Sequence, residues 1–159
     1  MRFVRFELRP SGVGPVQLDM TRQDARLALE EWGECRPFRR GSEANEGWYV
    51  TRGSTTTIFV YVDDGGCVDA IEFSSPGHGV ASEDQVVFDG VDLFIDEADV
   101  VISNLTDKGL RLEEGENGYT TTAPDVLLGL WRDGEPSDES TGRPLYFESA
   151  LIARPGYYD

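Results

Sequence analysis

The chain has 159 residues, 39% of them hydrophobic, and a formal net charge of −16. A chain of this length can bury a core without metal or disulfide staples, and it has no apolar run of the ~20 residues that a membrane-spanning helix needs. Residues 1–80 carry 9 Arg and 12 Asp or Glu, a balance of −3, whereas residues 81–159 carry 5 basic and 18 acidic residues, a balance of −13. Such a field repels nucleic acid and anionic membranes and attracts cationic surfaces, so we expect neither nucleic acid nor membrane as a partner.

The N-terminal sequence MRFVRFELRP alternates apolar and charged residues, which predicts a half-buried first strand. It lacks the apolar middle of a signal peptide, which predicts a cytoplasmic location. Cys35 and Cys67 do not form a CxxC pair, and with the single His78 they are too few for a zinc site. Two free thiols and one disulfide are both compatible with this pattern. We expect no metal and no cofactor.

A first helix is predicted within residues 16–33, VQLDMTRQDARLALEEWG. Thr21 can accept a backbone N–H at the helix start, and Asp24 follows three residues later. One apolar stripe has helical spacing: Ala25, Ala28, Leu29 and Trp32. Gly33 is placed to end the helix in a left-handed turn.

The segment after this helix predicts a loop and then an antiparallel meander. Residues 34–47 are polar and predict the loop. Strands are expected at 47–52, 56–62 and 67–73, with Asp63-Asp64-Gly65-Gly66 as the hairpin turn before the third strand. Residues 74–84 predict a linker.

A second stretch with the same layout lies at 91–109, VDLFIDEADVVISNLTDKG. Five positions match at one offset of 75 residues: Val16 with Val91, Leu18 with Leu93, Met20 with Ile95, Thr21 with Asp96, and Asp24 with Asp99. Asp96 is thus predicted to cap a second helix, which Gly109 follows. Further strands are expected at 110–114, 118–123, 125–132 and 145–153.

One helix followed by several strands in each half predicts an α+β fold rather than a parallel α/β sheet. We expect two tandem helix-then-antiparallel-meander units, about 1–74 and 85–154, joined in one sheet with both helices on one face. The two units would form a single domain over 1–159, with a surface tail at 155–159.

The pattern V-x-L-x-M-T-x-x-[DE] at the first helix resembles the tandem-repeat fold of the β-lactamase inhibitor protein and related BamE-like domains. In this sequence the matching residues are Val16, Leu18, Met20, Thr21, Asp24 and Gly33, with an echo at 91–109. The resemblance implies protein binding without catalysis, in which the inhibitor uses its concave sheet face. This chain lacks the leader and the cysteine framework of the secreted inhibitors, so the resemblance does not imply β-lactamase as the target.

Alternation along two predicted strands puts aromatic side chains on the sheet face opposite the helices. In 56–62, Phe59 and Tyr61 oppose an aliphatic set, and in 125–132 Leu127 and Trp131 do the same. Tyr146 and Glu148 are expected on the same side. Exposed aromatic surface is where interface hot spots concentrate, unless loops such as 34–47 cover this face.

The residues predict no catalytic set, because His78 lies in the stretch PGHG and no nucleophile elbow, phosphate loop or H-E-x-x-H motif is present. We predict a non-catalytic acidic module of immunity or inhibitor type that neutralises a basic protein such as a toxin. The predicted contact residues are Phe59, Tyr61, Leu127, Trp131, Tyr146, Glu148, Asp92, Asp96, Glu97 and Asp99.

Two alternative functions stay open. One is a small-ligand-binding or enzymatic domain with a pocket between sheet and loops, in which His78 would work with a carboxylate. The other is an acidic accessory or scaffolding protein whose charge serves solubility alone. A monomer and a homodimer are both compatible with the sequence.

Overall fold

The computed structural model describes residues 4–40, 45–52, 56–75, 84–115, 118–132, 139–142 and 144–157. Within these ranges the chain forms two helices and thirteen strands in two sheets, so the α+β class is confirmed. The helices are α1 (Arg22–Leu29) and α2 (Ala98–Asp107). The strands are β1 (Arg5–Arg9), β2 (Gly12–Val13), β3 (Val16–Gln17), β4 (Arg36–Arg40), β5 (Asn45–Arg52), β6 (Thr56–Val62), β7 (Val68–Ser74), β8 (Gln85–Phe88), β9 (Val91–Asp92), β10 (Glu113–Glu114), β11 (Thr120–Ala123), β12 (Leu128–Arg132) and β13 (Phe147–Ala153).

Helix α1 begins where its capping sequence predicts. The Thr21 side chain accepts the N–H of Asp24 at 3.2 Å, which satisfies one of the donors that have no partner within the helix. The predicted termination at Gly33 is wrong, because the helix already ends at Leu29. Gly33 lies beyond the helix with a φ of 156°, and a Cβ at this position would lie 2.8 Å from a methyl carbon of Val50. Close packing against β5 is thus the reason for a glycine here.

Helix α2 begins one residue later than its predicted cap implies. Its N-cap residue is Glu97, whose side chain makes no capping hydrogen bond, so the capping role predicted for Asp96 is wrong. At the other end Gly109 adopts a φ of 94° and donates its N–H to the carbonyl of Thr106 at 2.9 Å. This left-handed turn ends the helix, as the position of the glycine indicates.

The larger sheet has eight strands in the order β10-β11-β12-β13-β7-β6-β5-β4, and every neighbouring pair is antiparallel. Two meanders, β4 to β7 and β10 to β13, therefore meet at a central pair of strands. In that pair Glu72 of β7 lies opposite Leu151 of β13.

The predicted single sheet is wrong, because a second sheet has the order β3-β2-β1-β8-β9. Its central strands β1 and β8 are parallel, with Phe6 opposite Val86 and Leu8 opposite Phe88. The short extended segments that precede the two helices thus pair with each other instead of joining the meanders. The sequence did not indicate this pairing, because alternation along a strand shows which of its faces is buried and not which distant strand it pairs with.

One hydrophobic core contains apolar side chains from both helices, the smaller sheet and one face of the larger sheet. The ring centroid of Phe6 in β1 lies 5.1 Å from that of Phe73 in β7, which shows that the smaller sheet packs onto the larger one. We call the face of the larger sheet that enters this core the inner face, and the opposite face the outer face. The inner face includes Ile58, Val60, Ile71, Phe73, Ala150 and Ile152.

The loop predicted at 34–47 is wrong, because this segment contains β4 and the start of β5. Phe38 of β4 lies opposite Gly47 of β5, and a Cβ on Gly47 would lie 1.8 Å from the carbonyl oxygen of Val60 in β6. Only glycine fits at that position. The larger sheet therefore ends in a polar edge strand, Arg36–Arg40, rather than in a loop.

Candidate functional site

The outer face carries an aromatic cluster formed by β4, β5 and β6, whose members are Phe38, Tyr49, Phe59 and Tyr61. The ring centroid of Phe38 lies 5.5 Å from that of Phe59 and 5.4 Å from that of Tyr61, with the rings nearly perpendicular. Tyr61 is 8% exposed, and the other three side chains are half-buried. Edge-to-face packing of this kind holds the rings in fixed positions. Sequence reasoning missed Phe38, because 34–47 lacks the alternation that marks a strand.

Glu72 lies at the centre of the outer face, beside the aromatic cluster. The Tyr61 hydroxyl donates to one carboxylate oxygen of Glu72 at 2.7 Å, and the Ser149 hydroxyl donates to the other at 3.0 Å. The bond from Ser149 of β13 connects the second meander with the first across the central strand pair, whereas the bond from Tyr61 lies within the first meander. The two bonds also fix the orientation of the carboxylate.

A recess of about 360 Å³ lies on the outer face next to Glu72. Its lining residues are Glu72, Ser74, Trp131, Arg132, Glu148 and Ser149. Trp131 pairs with Ser149 and the next residue, Arg132, pairs with Phe147, so Glu148 is the extra residue of a β-bulge. The bulge brings Glu148 to the recess while Phe147 enters the core.

Two of the predicted contact residues lie outside the regular strands, so the alternation does not place them on this face. Leu127 adopts a φ of 54° in the turn before β12, so it is not part of the strand and does not oppose Leu128. Tyr146 precedes the first residue of β13 and does not line the recess. The alternation fails at both positions because each lies outside the regular strand.

The acidic segment that contains Asp92, Asp96, Glu97 and Asp99 lies around the start of α2. One oxygen of Asp92 accepts the N–H groups of the residues two and three positions later, at 3.0 and 2.9 Å, so this carboxylate has a structural role. Asp99 accepts a hydrogen bond from Arg132 at 2.8 Å. Asp96 and Glu97 are exposed. Because Arg132 also lines the recess, the start of α2 lies close to the end of the outer face.

Two titratable groups lie at one margin of the outer face. The Tyr157 ring packs against the same side chains as Tyr61, and burial raises its pKa, with a further contribution from the negative charges of Asp69 and Glu72. Burial also raises the pKa of the Asp69 carboxyl, and the charge of Asp63 adds to this effect. Among the described residues, one oxygen of Asp69 is buried without a hydrogen-bond partner.

The described residues contain no group of His, Cys, Asp and Glu side chains that could hold a metal ion. Cys35 and Cys67 are free thiols, and burial raises the pKa of Cys35 to about 11, which makes it a weak nucleophile. A cavity of about 540 Å³ beside β1 and β2 contains Arg5, Glu7 and Arg9, whose charges pair with one another. His78 lies outside the described residues.

Comparisons of the chain with protein families, with curated proteins and with solved structures give no match. The resemblance to inhibitor and BamE-like domains therefore stays a prediction from the motif at 16–33. No helix in the described part of the chain is long and apolar enough to cross a membrane.

Proposed function

We propose that this chain is a non-catalytic protein-binding module that uses the outer face of its larger sheet to neutralise or regulate a basic partner, as an immunity or inhibitor protein does to a toxin. The observation that carries this proposal is the fixed aromatic cluster beside an acidic recess on the side of the sheet away from both helices. Rigid aromatic side chains lose little entropy on binding and are frequent hot spots.

The charge of the chain supports a basic partner. The net charge is −16, and the recess contributes the carboxylates of Glu72 and Glu148 to the outer face. Asp96 and Glu97 add exposed negative charge at the start of α2. Such a field would accelerate the association with a cationic surface and would be screened by salt.

We further propose that the chain is built from two tandem units within a single domain. The strand order of the larger sheet supports this, because each meander contributes four strands in mirrored order. Both meanders also have a β-bulge between their last two strands, with Asp69 as the extra residue in the first and Glu148 in the second. A core shared by both halves supports one domain, and the two free cysteines support a reducing, cytoplasmic environment.

The proposal is tested by capture from native lysate at low salt with three immobilised forms of the chain. The outer-face variant carries Phe59→Ser and Trp131→Ser. The control variant carries Leu27→Ser and Val100→Ser, which remove two apolar side chains that are 54% and 45% exposed on the helices. We expect the wild type and the control to retain the same basic protein, and the outer-face variant to bind it at least ~30-fold more weakly, since truncating a hot spot costs about 2 kcal/mol or more.

Equal retention by the outer-face and control variants would contradict the proposal, as would a partner that is not basic or whose binding is independent of salt. Circular dichroism spectra of the three forms check that all are folded. Light scattering of the free wild type tests for a homodimer. A dimer that Phe59→Ser with Trp131→Ser converts to a monomer would assign the outer face to self-association instead.

A further inference from the structure

We infer that the recess on the outer face binds an arginine side chain of the protein partner; this inference rests on the proposed function. The recess combines an indole ring, two carboxylates and a serine hydroxyl within about 360 Å³. Each of these groups matches one property of a guanidinium ion: its flat face, its positive charge and its several N–H donors.

Trp131 supplies the aromatic wall. It is half-buried and packs with the apolar side chains of the outer face, so its ring is held in place before any ligand arrives. Tryptophan is the aromatic side chain that attracts cations most strongly, and arginine stacks on it in a planar arrangement. The indole therefore favours a guanidinium over an aliphatic side chain.

Glu72 supplies a carboxylate that is already oriented. Its two oxygens each accept one hydroxyl hydrogen bond, from Tyr61 and from Ser149, and each oxygen can accept another. The N–H groups of an arginine could use those positions without breaking the existing bonds. A carboxylate that is fixed in advance binds at a lower entropic cost than a mobile one.

Glu148 supplies the second carboxylate, which the β-bulge brings to the recess. Arg132 also lines the recess, but its charge is balanced elsewhere. Its guanidinium lies 2.8 Å from Asp99 and 3.6 Å from Glu114, and its side chain is 3% exposed. Glu72 and Glu148 thus place two carboxylates along the lining of the recess, a chemistry that matches a cation.

The test uses the full chain and a small probe, the peptide acetyl-Gly-Arg-Gly-amide. A second peptide contains citrulline, which has nearly the same shape as arginine and no charge. Binding is followed by NMR through the indole N–H signal of Trp131, which is identified by its loss in the Trp131→Phe variant. We expect the arginine peptide to shift this signal with a dissociation constant on the order of 10 mM, and the citrulline peptide to leave it unchanged.

Isosteric variants show whether the carboxylates are responsible. Glu148→Gln and Glu72→Gln should each raise the dissociation constant of the arginine peptide by about threefold to tenfold, because each removes one charge from the recess. Glu31→Gln removes an exposed charge near the end of α1 and should leave the affinity unchanged. Because Glu72 also holds two hydroxyl groups, Glu148→Gln provides the cleaner measurement.

The inference is wrong if the arginine and citrulline peptides shift the signal equally, if neither shifts it, or if Glu148→Gln binds the arginine peptide as the wild type does. If the peptide fails while Phe59→Ser with Trp131→Ser still abolishes capture of a basic protein, the recess inference alone is lost. If the peptide binds but that double variant captures the partner normally, the proposed role of the outer face is lost.

Discussion

A buried ion pair between Arg52 and Asp84 gives the sharpest prediction about stability. The Arg52 side chain is 4% exposed and the Asp84 side chain is 6% exposed, and their closest atoms lie 2.7 Å apart. Asp84 also accepts the N–H of Val4 at 3.0 Å, and Arg52 donates to the carbonyl of Trp32 at 2.6 Å. The pair thus connects the end of β5, the turn after α1 and the residue before β1.

Asp84→Asn keeps the shape of the side chain and removes its charge. The guanidinium of Arg52 then stays buried without a counter-ion, and the loss of one partner from such a pair costs about 3–5 kcal/mol. The free energy of unfolding of a native protein is about 5–15 kcal/mol, so Asp84→Asn would remove a large part of the total stability.

Urea unfolding monitored by circular dichroism measures this effect. The matched control is Asp125→Asn, which breaks an ion pair with Arg111 in which the side chains are 57% and 65% exposed and should cost about 0.2–1 kcal/mol. The double variant Arg52→Met with Asp84→Asn should be less destabilised than the sum of the two single changes, because the second change removes the unpaired charge. Equal costs for Asp84→Asn and Asp125→Asn would refute the reasoning.

Three further predictions concern local features. Thr21→Ala should lower the free energy of unfolding in urea by about 1 kcal/mol, because it removes the side-chain cap of α1. Glu97→Ser should raise it by about 0.5–1 kcal/mol, because it supplies a cap that α2 lacks. Equal effects of the two changes would contradict the capping geometry. Gly47→Ala should lower the free energy of unfolding by about 3 kcal/mol or more, because its Cβ would collide with a backbone carbonyl of β6. Gly66→Ala should lower it by only about 1–2 kcal/mol, because the space around Gly66 is open and only its φ of 82° disfavours alanine. Burial raises the pKa of Cys35 from 9.0 to about 11, so iodoacetamide at pH 8 should modify it far more slowly in the folded than in the unfolded chain when the other cysteine is replaced by serine. The unfolded thiol ionises first, so this group's contribution to stability should fall as the pH rises from 9 to 11.

The start of α1 was predictable because its signals are local. Thr21 and the apolar stripe that follows it lie within one short stretch, and the helix begins where they indicate. Strand β4 was not predictable in this way. RPFRR contains a single large apolar residue, Phe38, and becomes a strand because β5 supplies its hydrogen-bonding partners. Pairing between distant or polar segments leaves little trace in the sequence of either one.

The same contrast applies to the outer face. Phe59 and Tyr61 were placed by simple alternation, since β6 is regular over this part of its length. Leu127 was misplaced, because a leucine with positive φ gives no glycine or asparagine signal for the turn it occupies. Glu148 reaches the recess through a bulge, and the sequence contains nothing that marks the extra residue. A single sequence therefore indicated which face to consider but not the recess within it.

The central pairing of β7 with β13 has a consequence for synthesis of the chain. Ile71 of β7 lies opposite Ile152 of β13, and β1 likewise pairs with β8 only after the first meander has been synthesised. While the ribosome is still adding the second half, β7 is therefore an unprotected edge strand whose backbone N–H and C=O groups are available to other chains. Such late, long-range closure slows folding and leaves the nascent chain open to misassembly. Chaperones that bind exposed strand edges should therefore raise the yield of this folded protein. Their effect should be smaller for a protein whose two halves fold independently of each other.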